Sequence, residues 1–141
     1  TDEHDPETQA RIATGEQVIR AESLDDAVMQ ARSAMAAARR IGEWEREQTH
    51  ESLLPYLEEE AGEFAAAVRQ RAPEEDLLKE LGDIFLQVLF HAEISSFSLD
   101  DVAASFLRKM RSRAPYLFDG TVDIVGVEEQ NRLWAEGKSR E

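Results

Sequence analysis

The chain contains no cysteine. That excludes a disulfide framework and any thiolate-held zinc, and it fits a cytoplasmic setting. No apolar run reaches the length of a membrane span, and no N-terminal signal pattern appears, so no membrane partner is expected. Basic residues are scarce: 16 Lys and Arg stand against 30 Asp and Glu, for a net charge of −14. Such a chain repels nucleic-acid polymers and anionic membrane surfaces. A small anion is a different matter, because a bound metal can reverse the local sign. Strand-like alternation is also missing, and no internal repeat is visible. What remains is helical periodicity in a chain of 141 residues, the size of one ordinary domain, with 42% hydrophobic residues to build its core. A first residue of Thr1 in place of Met reads as a processed chain or a piece of a longer one.

Residues 1–22 are polar and weakly periodic and read as an extension, with a short helical turn near Glu16–Arg20. Ser23, with Asp26 three residues on, reads as an N-cap. The helix it starts runs to about Arg40, with Leu24, Ala27, Val28, Ala31, Met35 and Ala38 on one side. Gly42 is expected to end it in the left-handed conformation. A loop then carries Trp44 and Gln48. Thr49 or Ser52 caps a second helix to about Gln70. Pro55 is harmless if Ser52 is the cap and kinks the helix if Thr49 is. Pro73 and the acids Glu74, Glu75 and Asp76 mark a third helix, to about Ile94. Ser98 with Asp101 caps a fourth, to about Arg113, where Pro115 stops it. A loop over 119–126 precedes a last helix over Val127–Lys138. The expected fold is an all-α helical bundle, with residues 23–141 as its domain.

Two acidic clusters interrupt this pattern. Glu59, Glu60 and Glu63 lie on the second helix, and Glu80 and Asp83 on the third. Residues at i and i+3 share a helix face. With about 100° per residue, Glu60 falls inside the stripe of Leu53, Leu57, Phe64 and Val68, and Glu63 at its edge. Glu58 faces away. The third helix has apolar residues in nearly every direction, which predicts a buried helix. Its polar exceptions, Glu80, Asp83, Gln87 and His91, fall within one sector. A hairpin across residues 70–73 brings Glu60 and Glu63 to Glu80 and Asp83. Four such carboxylates need a cation, and all-oxygen ligation suits Mg²⁺, with Mn²⁺ as the alternative. Gln87 reads as a support for the cluster or a subunit contact, and His91 as a core or interface histidine. A carboxylate-bridged di-iron centre wants two Glu-x-x-His motifs; Glu47-x-x-His50 alone matches.

These residues also resemble a family. Glu59-Glu60-x-x-Glu63 followed by Glu80-x-x-Asp83 is similar to the signature of MazG nucleoside triphosphate pyrophosphohydrolases. Trp44-Glu-Arg-Glu-Gln-Thr-His50, Leu54-Pro-Tyr-Leu57, Gln87-Val-Leu-Phe-His-Ala92, Leu99-Asp-Asp-Val-Ala103, Lys109…Arg113 and Trp134…Lys138 extend the likeness over about residues 24–139. The resemblance implies an all-α fold whose active form is at least a dimer, with helices of two subunits completing the bundle. It implies hydrolysis of NTPs or dNTPs to the monophosphate and pyrophosphate, a nucleotide-pool house-cleaning reaction. By motif match, Glu60, Glu63, Glu80 and Asp83 hold Mg²⁺. Glu59 activates water or supports the ligands, Lys109, Arg113 and Lys138 meet phosphates, and Trp44 or Trp134 packs near the nucleotide. Two departures stand out. Gly42-Glu43 replaces the family's frequent Cys-Pro, and Ala114-Pro115-Tyr116 replaces its His-Pro-His. The alternatives are a narrower dUTP/dCTP or phosphoribosyl-ATP pyrophosphatase, or a non-catalytic acidic helical interaction module.

Overall fold

The computed structural model describes residues 18–141, with side chains from residue 27 onward. Every regular element among the described residues is helical: α1 (Val18–Ile41), α2 (Glu43–Glu47), α3 (His50–Arg69), α4 (Glu74–Ile94), α5 (Leu99–Arg113), a 3₁₀ turn (Pro115–Leu117) and α6 (Val127–Arg140). The all-α expectation holds. No described helix is long and apolar enough to cross a membrane. The chain divides after Ser96 into two compact units.

In the first unit α3 and α4 form a hairpin, and α1 packs on α4 and on the short α2. The hairpin is antiparallel, since His50 meets His91 at one end and the acidic pairs meet nearer the turn. Thr49 is the cap of α3. Its side chain accepts from the Ser52 backbone N–H while Ser52 Oγ accepts from that of Thr49, which satisfies two donors that a helix start leaves open. Pro55 therefore lies inside α3 and leaves the Glu51 carbonyl without its helical donor. The left-handed residue that closes this helix is Arg71, at φ 56°. Leu53 is the most deeply buried large side chain, joined in this unit's core by Met35, Ala67, Leu89, Phe90 and Ala92.

Several expectations change. The turn expected near Glu16–Arg20 falls partly outside the described residues, as do residues 1–17 of the extension. The chain is helical from Val18, so Ser23 lies within α1 and does not cap it. Gly42 is not left-handed: its φ is −94°. Glycine is needed there for space, because an added Cβ would overlap the Ala38 carbonyl and the Glu45 carboxylate. Trp44 lies on α2 and not in a loop. The burial expected for α4 holds on one side only. Leu78 is 71% exposed and Leu81 50%, and Phe85, Leu86 and Val88 are also exposed.

In the second unit, Ser98 and Asp101 form the expected capping box at α5. α5 and α6 touch where buried Gly137 meets the backbone of Ser112 and Arg113. Arg140 donates to the Ser112 carbonyl (3.0 Å), and Gln130 to the Tyr116 hydroxyl (3.1 Å).

Candidate metal centre

The α3–α4 hairpin brings four carboxylates together. One oxygen from each of Glu60, Glu63, Glu80 and Asp83 can be chosen so that all lie within 4.8 Å of one another. The cause is local and simple. Each helix presents an i, i+3 pair on one face, and the short 70–73 connection forces the two faces into contact. Glu60 and Glu80 are half-buried, while Glu63 and Asp83 are exposed. The inner pair carries the strain. Glu60 Oε1 and Glu80 Oε1 are buried with no hydrogen-bond partner.

Electrostatics agree with the geometry. Burial pushes the Glu60 carboxyl above the usual carboxylate range, and the charges of Glu63, Asp83, Glu59 and Glu80 push it further. Glu80 is raised in the same way, by burial first and then by Glu63, Asp83 and Asp76. Among the described residues, no cationic side chain makes an ion pair with any of the four. An all-carboxylate set with two orphaned inner oxygens fits a hard divalent cation. In an octahedral Mg²⁺ site, opposite oxygens lie roughly 4.2 Å apart. The observed span of 4.8 Å needs only a small inward rotation of side chains, half of which are exposed.

The other expected site residues are distributed as follows. Glu59 is exposed on α3, close enough to Glu60 to raise its pKa. Trp44 packs edge-on against Tyr56 (5.9 Å between centroids) and Phe90 (6.1 Å). Lys109, Arg113, Trp134 and Lys138 all belong to the second unit. There Arg113 is held by Glu141 at 2.6 Å and lies over the Trp134 ring, 5.1 Å from its centroid. The Glu141 carboxylate raises its pKa. Lys109 and Lys138 are exposed.

Two groupings are not expected from the sequence. A cleft of about 290 Å³ runs from Glu63 and Glu80 toward the hairpin turn, with Gln70, Asp76 and Lys79 in its wall. At the far end of the hairpin the His91 and His50 rings meet with their planes parallel to 4° and centroids 5.0 Å apart. The Asp76/Lys79 spacing, one turn before Glu80/Asp83, was a signal available in the sequence. The histidine pair, 41 residues apart, had none.

Comparison with known proteins follows the same lines. The family model of the MazG nucleotide pyrophosphohydrolase domain matches residues 48–118, which include all four carboxylates. A nucleoside triphosphate pyrophosphohydrolase of Mycolicibacterium smegmatis is 41% identical in an alignment covering 100% of this chain and 45% of that protein. One of Mycobacterium tuberculosis is 40% identical over the same shares. The chain thus spans somewhat under half the length of these relatives. The crystal structure of a MazG-related protein from Thermotoga maritima superposes with a TM-score of 0.69 at 25% identity, covering 79% of this chain and 98% of that one.

Proposed function

This chain belongs to the MazG family of nucleotide pyrophosphohydrolases, and from that premise we propose that it hydrolyses NTPs or dNTPs to the monophosphate and pyrophosphate. The relatives' names state that activity for them. The single observation that carries it to this chain is the convergence of Glu60, Glu63, Glu80 and Asp83, with two buried oxygens left unpartnered. We assign the reaction to residues 23–141.

Glu60, Glu63, Glu80 and Asp83 are the proposed ligands of Mg²⁺, with Mn²⁺ as the alternative. A cation held there would supply charge neutralisation for the triphosphate and would make the attacking water more acidic. Glu59, exposed beside Glu60, takes the proton of the attacking water. The water oxygen bonds to phosphorus, the α–β anhydride bond breaks, and pyrophosphate leaves. Lys109, Arg113 and Lys138 are the proposed contacts to phosphate, and Trp44 and Trp134 the proposed packing surfaces for the nucleotide. Arg113 must exchange its Glu141 partner to serve, which the exposure of that pair's carboxylate permits.

A second copy of the chain is the proposed partner. Leu78, Leu81, Phe85, Leu86 and Val88 place a large apolar surface of α4 in solvent, more than scattered single residues account for. An α4 apolar in almost every direction is explained if a partner covers its outer side.

The test is a panel of nucleoside triphosphates with Mg²⁺ and pyrophosphate detection. Glu60→Ala and Asp83→Ala should each lower activity by about 100-fold or more, since even outer-shell changes cost 10–100-fold. Full activity in either variant would overturn the ligand assignment. Absence of pyrophosphate release from every substrate, with no thermal shift on adding Mg²⁺, would favour a non-catalytic interaction module.

A further inference from the structure

Where α1 ends and α2 follows, three arginines converge. Arg39, Arg40 and Arg46 line one cleft of about 390 Å³, with Ala36 and with Glu93 of α4. In a chain with 30 acids and 16 bases, such a grouping should attract carboxylates. Yet among the described residues none of the three makes an ion pair, and Glu93 pairs with none of them. Arg39 Nη2 donates to the Arg46 backbone carbonyl at 3.0 Å, which fixes its guanidinium against α2. Its Nε–H is nonetheless buried with no acceptor. A buried donor left unpaired is costly, and three like charges around one cleft add to that cost.

Helix dipoles account for part of this. Arg39 and Arg40 lie in the last turn of α1 and Arg46 in that of α2, where cations are favoured. The dipole explains each position singly. It does not explain why three guanidinium groups face one cleft without an anion while one of them keeps a buried donor open.

We propose that this cleft is an anion site for a diphosphate group, of which inorganic pyrophosphate is the smallest form. Guanidinium forks match phosphoryl oxygens bidentately and are more weakly hydrated than ammonium groups. A volume of about 390 Å³ is ample for two linked phosphoryl groups. Three positive charges less the one of Glu93 suit a multiply charged ligand. The site shares no residue with the carboxylate cluster. Glu93 lies ten residues beyond Asp83 on α4, roughly 15 Å along the helix axis. Binding here needs no divalent metal and does not rest on the proposed reaction. If that reaction holds, the ligand is also its product.

The test is calorimetric titration of the full chain with inorganic pyrophosphate in EDTA, beside ADP, sulfate and a poly-glutamate peptide at matched ionic strength. Pyrophosphate or ADP should bind, and sulfate at least about tenfold more weakly, because one bidentate guanidinium contact more or less is worth about that factor. Tighter binding of ADP would identify the diphosphate as a nucleotide's, and tighter binding of pyrophosphate would identify it as free; either supports the site. Arg40→Gln with Arg46→Gln should weaken binding at least tenfold, while Glu60→Gln with Asp83→Asn should leave it unchanged. Circular dichroism checks the fold of the double variant, and Arg46→Gln alone, at an exposed position, serves if the double variant does not fold. The proposal is overturned if pyrophosphate and ADP do not bind, or if sulfate binds equally. It is overturned too if only the acidic peptide binds, or if the carboxylate variant loses binding while the arginine variant keeps it.

Discussion

His50 Nδ1 and His91 Nδ1 lie 2.7 Å apart, and a chain of hydrogen bonds fixes which of them carries the proton. Ser95 Oγ–H donates to the His91 carbonyl at 2.7 Å. His50 Nε2–H must then donate to Ser95 Oγ, at 3.2 Å. With its proton on Nε2, His50 leaves Nδ1 as an acceptor, and His91 Nδ1–H is then the donor between the rings. His91 Nε2 is left as a buried acceptor with no partner.

The first prediction concerns pH. Burial, then the neighbouring His50, lowers the His91 pKa in the folded protein. Below the ordinary histidine value of about 6.5, the unfolded chain therefore binds more protons than the folded one. The contribution of His91 to stability is present above that pH and is lost as pH falls through the folded value. Thermal midpoints measured downward from neutral pH should fall in the wild type and fall less in His91→Gln. Equal slopes would remove the histidine pair as the cause.

The carboxylate cluster predicts the opposite sign. Glu60 and Glu80 have raised pKa values in the folded chain. Their protonated forms are favoured by folding, so the metal-free protein loses stability as pH rises above about 4.3, the unfolded glutamate value. In EDTA at neutral pH, Glu60→Gln should raise the thermal midpoint, because it removes a repelled charge. With excess Mg²⁺ the order should reverse, since ligands bind metal in the ionised form. A lower midpoint for Glu60→Gln in EDTA would show that the cluster is not strained without its cation.

Why some of this was legible in the sequence and some was not comes down to range. The Ser98/Asp101 box and the Glu60/Glu63 and Glu80/Asp83 pairs depend on contacts within four residues, which helix geometry dictates. Their convergence followed from one short connection. The His50–His91 pair and the grouping of Arg39 and Arg40 with Arg46 and Glu93 depend on how whole helices pack. Gly42 misled because a glycine after a helix usually marks a left-handed residue. Here the crowding by Ala38 and Glu45 is what excludes a side chain. The α4 pattern misled differently: apolarity in all directions does not say whether the same chain or another one covers the outer face.

Gly137 supplies a test of packing in the second unit. An alanine Cβ there would overlap the Ser112 carbonyl and the Arg113 Cα. Helix propensity alone favours alanine over glycine by about 1 kcal/mol. Forcing a methyl group into backbone typically costs about 1–3 kcal/mol, and backbone cannot move aside as a flexible side chain can. Gly137→Ala should therefore lower stability in urea denaturation despite its better propensity. A stabilised variant would mean that α5 and α6 do not approach this closely.

Gln87 separates stability from function. It is 5% exposed, its Oε1 is buried with no hydrogen-bond donor, and it lies one turn beyond Asp83 on the same face of α4. A buried acceptor without a partner costs about 1–3 kcal/mol, and an apolar side chain of similar shape avoids that cost. If the amide serves only the fold, Gln87→Leu should be destabilising. If it waits for a donor such as a metal-bound water, Gln87→Leu should leave the metal-free protein as stable or more so. It should then weaken Mg²⁺ binding by about tenfold or more, the usual effect of an outer-shell change. We expect the second pattern, read from urea midpoints in EDTA and from Mg²⁺ titration of the same preparation. Loss of stability with unchanged Mg²⁺ affinity would assign Gln87 to packing alone.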